Sequence, residues 1–337
     1  MPTFTENRDI IVANFKNPAT AKRAIMLEGE PGCAKSSMGP AVAEAMGFGA
    51  DRVRSLHPVR RNPVDFCGLP MIADGHMEWA EPAEILELTT GKWIVMIEEL
   101  AQCGAMMQNA MAGLVLDRYL NKAVLSPDAH IIITSNRVQD KAGARAVMTH
   151  FANRVMRLPM TYSIDDFIPY GIDKGLDVVG LAFLSNYPQY LIDFDPDRAV
   201  NATARSWEYA LSMDPDALPE HLYLHALSGI LPEGIATTYM GFRKVAARMP
   251  NKDEIERSPR TAPIPKEVDV KYAITASLIV TTDSPSKFEH YLQYMARMEP
   301  EFQTLFVHTC VNRVPGVSSA PAYINWTVKN RELFGSR

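Results

Sequence analysis

Ala24-Ile-Met-Leu-Glu-Gly29-Glu-Pro-Gly32-Cys-Ala34-Lys35-Ser36 is the stretch whose reading decides the fold. It opens on an apolar strand, Ala24 to Leu27, and breaks at a Gly/Pro-rich turn. A helix is predicted from Lys35 to Met46. Strand, glycine turn and helix in that order form the context of a phosphate-binding loop. Glycines let the backbone curl until several N–H groups face one anion. The helix start adds its partial positive charge. Lys35 is then the cation for β- and γ-phosphates, and the Ser36 hydroxyl a ligand for Mg²⁺. Ala34 stands where such loops carry glycine, and its methyl is expected to be tolerated if the backbone there is helical.

Working outward, Trp93-Ile-Val-Met-Ile97 and Ile131-Ile-Ile-Thr134 are further apolar runs, and Val155 to Met160 is a fourth strand. Helical patterns separate them, including one expected to run from Gly104 to Leu120. Runs apolar on both faces argue for a parallel sheet covered on both sides. All the strands then end at one edge, where ligands of open α/β sheets bind.

That edge collects polar groups. Glu98 and Glu99 follow the second apolar run, and neighbours on a strand point opposite ways, so they serve different tasks. Glu98 is read as the metal carboxylate and Glu99 as the group that polarises an attacking water; a solvated strand end is the bland alternative. Asn136 ends the third run, placed to meet that water or the γ-phosphate, or else to make an Asx turn. Arg154, in Phe151-Ala-Asn-Arg-Val155, and Arg205, in Thr203-Ala-Arg-Ser-Trp207, are singled out by their order after these motifs. Single arginines more often make surface ion pairs.

Composition bounds the rest. The chain has 337 residues, enough for about two or three domains, and its 47% hydrophobic content can fill a core. A formal charge of −5 argues against a general nucleic-acid coat. No apolar run reaches bilayer length. The polar N-terminus does not read as a secretory signal, and Cys33, Cys67, Cys103 and Cys310 form no C-x-x-C pair. A cytoplasmic location with free thiols is expected. His221 and His225 have a helical i, i+4 spacing but lack a third metal ligand. His57-Pro-Val-Arg60-Arg61 is a weak basic patch. Met106, Met107 and Met111 are expected to fill a core. After Pro159 the pattern turns helical and aromatic, and Met249 to Glu267, with four prolines, reads as a loop or linker. Ser284-Pro285 reads as a helix start. The expected division is 1–160, an α/β nucleotide domain; 161–248, a helical lid; and 249–337, a helical C-terminal region.

Five motifs stand in the order found in AAA+ ATPases: GEPGCAKS, IVMIEE, IITSN, FANRV and TARSWE. The chain resembles the MoxR branch of that superfamily. Its segment around Gln108-Asn109-Ala110, and Pro63 to Pro70 with Trp79 to Pro82, are similar to that branch as well. The resemblance runs from about Ile25 to Glu208. It implies an AAA+ parallel sheet with flanking helices, then a small helical lid and a mostly helical C-terminal region. ATP would be contacted by Gly29, Glu30, Pro31, Gly32, Cys33, Ala34, Lys35, Ser36 and Ser37, and Mg²⁺ by Ser36 and Glu98. Glu99, Asn136, Arg154 and Arg205 would act in hydrolysis, Arg154 in trans and Arg205 in cis. It further implies a homo-oligomeric ring, commonly a hexamer, that remodels or matures a protein complex beside a protein with a von Willebrand factor A domain, with no membrane. A nucleic-acid motor and a nucleotide-gated scaffold with weak hydrolysis are the alternatives. The first would need a basic pore or an added DNA-binding module, neither of which the sequence clearly offers; the second is encouraged by Ala34 and Glu98, which depart from the usual Gly and Asp.

Overall fold

The structure, a computed structural model, describes residues 2–140, 148, 151, 154–246, 250 and 252–330. The chain divides into two units. One comprises Met1–Ser163 with Phe194–Ala199 and Thr203–Arg205; the other comprises Ile164–Asp193, Val200–Ala202 and Ser206–Arg337.

Among the described residues the first unit holds nine strands: β1 (Ile25–Glu28), β2 (Val53–Leu56), β3 (Leu69–Ala73), β4 (His76–Ala80), β5 (Trp93–Ile97), β6 (Tyr119–Leu120), β7 (Ala123–Val124), β8 (Ala129–Ser135) and β9 (Met156–Pro159). Five of them form one parallel sheet in the order β2-β5-β8-β1-β9. All five residues of β5 and all seven of β8 are buried, as expected of strands covered on both faces. Helices α1 (Phe4–Lys16) and α2 (Met38–Ala45) belong to this unit. A Thr3–Glu6 capping box starts α1. Its Asn7 side chain donates to the Pro159 carbonyl at 3.1 Å, tying the helix to the end of β9. The register decides what meets at the sheet edge. Ile97 pairs with Ile133, so Glu98 falls level with Thr134; Glu28 pairs with Ser135, so the turn after β1 lies beside the end of β8.

Two expectations change here, and one element is added. The predicted helix from Gly104 to Leu120 is α-helical only over Ala105–Ala112, continues as a π turn over Gly113–Asp117, and stops at Arg118, whose φ is 63°. Tyr119 and Leu120 are then free to pair as β6 with β7. Met107 and Met111 fill the core, but Met106 is exposed, because it lies on the outer face of that short helix. A hairpin, β3–β4, separates β2 from β5. Its turn residues Asp74 and Gly75 have φ of 49° and 77°, the left-handed pair of a tight hairpin turn.

The second unit is helical, from Ile164–Asp173 and Val178–Asn186 through Glu220–Ser228 and Glu233–Ala246 to Val268–Thr281, Pro285–Met295, Pro300–Arg313 and Pro321–Lys329. Phe183 is the centre of an aromatic cluster with Tyr187, Tyr190, Trp207, Tyr239 and Phe242. A second core joins Phe288, Tyr291, Phe302, Phe306 and Trp326. Ser284 caps its helix as expected, accepting from the Lys287 N–H with Pro285 in the first turn. The predicted linker contains a helix, Lys252–Arg257, whose Ile255 is fully buried. One core-facing side chain outweighs the surrounding prolines.

Candidate functional site

The loop between β1 and α2 is held from three sides. The Gly29 N–H donates to the Ser135 carbonyl at 3.3 Å. A Cβ on Gly29 would lie 2.4 Å from the Met160 carbonyl oxygen, so only glycine fits between the loop and the end of β9. Gly32 has φ of 79°, and a Cβ there would lie 2.6 Å from the Thr203 hydroxyl. The Arg205 N–H reaches the Gly32 carbonyl at 3.4 Å. The start of the helix Ala204–Ser212 therefore sits against the loop, although more than 160 residues separate them in sequence.

Ala34 departs from expectation. Its φ of 64° and ψ of 24° are left-handed, not helical. Alanine there costs about 1–2 kcal/mol that glycine would not. Ala34→Gly is expected to raise stability by about 0.5–1 kcal/mol, after the greater unfolded-state freedom of glycine is subtracted. A higher urea midpoint would check it; a lower one would mean that the methyl group is packed to advantage.

Lys35–Ser37 form one tight turn ahead of α2. Lys35 is buried, and its Nζ donates to the Gly29 and Glu30 carbonyls at 2.9 and 2.7 Å, with the Cys33 sulfur at 3.8 Å. Burial lowers the pKa of this ammonium, while Cys33, Asp140 and Glu30 act the other way. Burial likewise raises the Cys33 thiol, against the pull of Lys35.

Glu98 is 5% exposed. Its Oε2 accepts from the Ser36 hydroxyl at 3.0 Å and the Thr134 hydroxyl at 2.6 Å. Two short side chains from the loop and from β8 thus converge on one carboxylate oxygen. Glu99 is exposed, with a left-handed φ of 60°, and its N–H donates to the Thr134 hydroxyl at 3.0 Å. The two acids, adjacent in sequence, occupy different environments because the backbone, past the end of β5 at Ile97, turns left-handed at Glu99.

Asn136 is buried at the end of β8, two residues past Thr134. Arg137 donates to Asp140, with Nη2 at 2.8 Å, and the same nitrogen lies 2.8 Å from Glu30 Oε1 in the loop. Arg154 is 61% exposed, 3.9 Å from Asp117. Asn153, in the same predicted segment, lies outside the described residues. Arg205 is exposed, and its backbone is at the loop. The structure therefore brings the loop, Glu98, Glu99, Asn136 and the Arg205 backbone to one region, and leaves Arg154 on the surface beside Asp117.

Three contributors escaped the sequence reading: Thr134, Arg137 and Thr203. The spacing of Arg137 and Asp140, three residues apart, was the available signal for one. Nothing local marked Thr203 as a neighbour of Gly32. Among the described residues no group of three or more His, Cys, Asp or Glu is arranged to hold a metal, and His221 and His225 lie on the helix Glu220–Ser228. No helix among the described residues is long and apolar enough to cross a membrane.

No protein-family model and no curated protein matches the chain. Solved structures do. NtrX from Brucella abortus in complex with ADP is similar with a TM-score of 0.40 and 13% identity, over 98% of this chain and 68% of that one. The Thermotoga maritima RuvB Holliday junction branch migration motor gives 0.39 and 12%, over 82% and 80%. A DNA polymerase III gamma subunit-related protein from Thermotoga maritima gives 0.33 and 11%, over 98% of both chains.

Proposed function

We propose that this chain is a ring-forming AAA+ ATPase of the MoxR type, which couples ATP binding and hydrolysis to the remodelling or maturation of a protein complex. The observation that carries the nucleotide reading is the convergence of Ser36 and Thr134 on Glu98 at the mouth of a glycine loop with a buried lysine. A buried carboxylate beside a hydroxyl is a hard oxygen donor set, and it fits Mg²⁺. Bound there with ATP, the ion would neutralise phosphate charge.

The chain's own groups supply the rest. Lys35 exchanges two loop carbonyls for phosphate oxygens. Gly29 to Ser37 offer backbone N–H groups, and the close fit at Gly29 and Gly32 holds their curl. Glu99, free of the Ser36 contact, polarises the attacking water, and Asn136 orients it. Arg205 reaches the phosphates in cis, and Arg154 enters the site of a neighbouring subunit. The ring, its hexameric size and a von Willebrand factor A partner rest on the resemblance of the motifs.

Lys35→Ala should weaken ATP binding by about a hundredfold, since a charge-assisted hydrogen bond is worth about 1.5–3 kcal/mol. Calorimetric titration of ATP with magnesium measures it. Unchanged affinity in the variant would remove the phosphate-loop reading.

A further inference from the structure

Glu30 is an acid inside a loop proposed to bind a polyanion. Its side chain is 13% exposed, and Arg137 lies at 2.8 Å from Oε1. Its Oε2 is buried with no hydrogen-bond partner among the described residues. Arg137 is itself fixed by Asp140, which is buried and accepts from Nε and Nη2 at 2.8–3.2 Å. The cation is therefore anchored on the β8 side and extends one nitrogen to the loop. The Lys35 ammonium bonds the Glu30 carbonyl, on the same residue.

We infer that Arg137 is a positioning residue that holds the Glu30 carboxylate away from Lys35, so that the lysine remains available to phosphate. This rests on the phosphate-loop reading above. The physical argument is a competition. A partly buried carboxylate without its arginine seeks the nearest cation, and burial makes an unpaired charge costly. Without Arg137, Glu30 and Lys35 would pair, and an incoming phosphate would have to break that pair while also facing the repulsion of Glu30. Asp140 cannot replace Arg137, because it has the same sign as Glu30. The anchoring by Asp140 explains why one arginine takes two acids: the inner acid fixes the guanidinium, and the outer one is restrained by it.

The test uses the full chain, ATP with magnesium, and four proteins: wild type, Arg137→Gln, Glu30→Gln and the double variant. Arg137→Gln should weaken ATP binding about tenfold, and raise KM with little change in kcat. Glu30→Gln removes the restrained carboxylate, keeps the loop backbone, and serves as the reference for the double variant. The double variant should bind ATP within about threefold of Glu30→Gln, because the competing charge has gone. A purely structural Arg137 predicts no such recovery. Unchanged affinity in Arg137→Gln, a double variant as weak as Arg137→Gln, or a fall in kcat at constant KM overturns the inference. If Arg137→Gln does not fold, Arg137→Lys takes its place: a point charge that cannot fork between Asp140 and Glu30 should weaken ATP binding, and adding Glu30→Gln should restore it, whereas wild-type affinity or no restoration overturns the inference. If the wild type binds no ATP, the phosphate-loop reading fails first and this inference falls with it.

Discussion

Glu99→Gln should bind ATP normally and lose at least about a hundredfold in hydrolysis, the usual worth of a positioned general base. The amide keeps the shape of the carboxylate but cannot take a proton from water. Glu98 cannot fill that role in the same way. Its Oε2 is already committed to the hydroxyls of Ser36 and Thr134, from the loop and from β8. Glu98→Gln should instead weaken the dependence of binding on magnesium, because an amide oxygen is a poorer partner for a hard cation than a carboxylate. Turnover and retained nucleotide, measured on both variants, separate the pair. If Glu98→Gln retained ATP without turnover and Glu99→Gln turned over normally, the assignment would be reversed.

Arg154→Ala should bind ATP nearly as wild type and lose about 10³ in rate, the effect of removing an arginine that meets charge on the γ-phosphoryl oxygens. The structure supplies a reason to expect a clean variant. Arg154 is exposed, and its partner Asp117 is 3.9 Å away. Such a pair contributes about 0–1 kcal/mol, so folding should survive. Mixing Arg154→Ala with Lys35→Ala gives the sharper measurement. In a ring with shared sites each variant would damage a different face, and an interface with Lys35 from one partner and Arg154 from the other would regain hydrolysis. Mixed rings without recovery, or wild-type rates in Arg154→Ala alone, would return Arg154 to an ordinary surface residue.

The central sheet was legible where burial is complete. β5 and β8 are apolar without interruption, and both faces are covered. β2 was not legible: Val53-Arg-Ser-Leu56 sits at an edge of the sheet, and only Leu56 is fully buried. The β3–β4 hairpin escaped for the opposite reason. Its apolar residues are exposed, so they show no core-facing alternation; the Asp74-Gly75 pair was the readable signal. At the candidate site, residue types and order could be read along the chain. What each side chain touches depends on strand register, which places Thr134 level with Glu98, and on a distant segment that brings Thr203 to Gly32. The left-handed conformation of Ala34 had no signal in residue type, because glycine, not alanine, is the residue that marks such a position.

The hairpin also bears on how solutions of this protein behave. It is a two-stranded ribbon whose outer edges are unpaired among the described residues. Leu69, Met71, Met77 and Trp79 are exposed along it, and Ile72 is 84% exposed. Such ribbons can add strands edge to edge. Sticking of that kind is driven by apolar surface, so excluded salts such as sulfate strengthen it, whereas contacts between charged faces weaken with ionic strength. A large particle on a sizing column is therefore ambiguous by itself. Assembly that grows with sulfate and is indifferent to nucleotide belongs to the ribbon, and only assembly that follows ATP speaks for a closed circle of subunits.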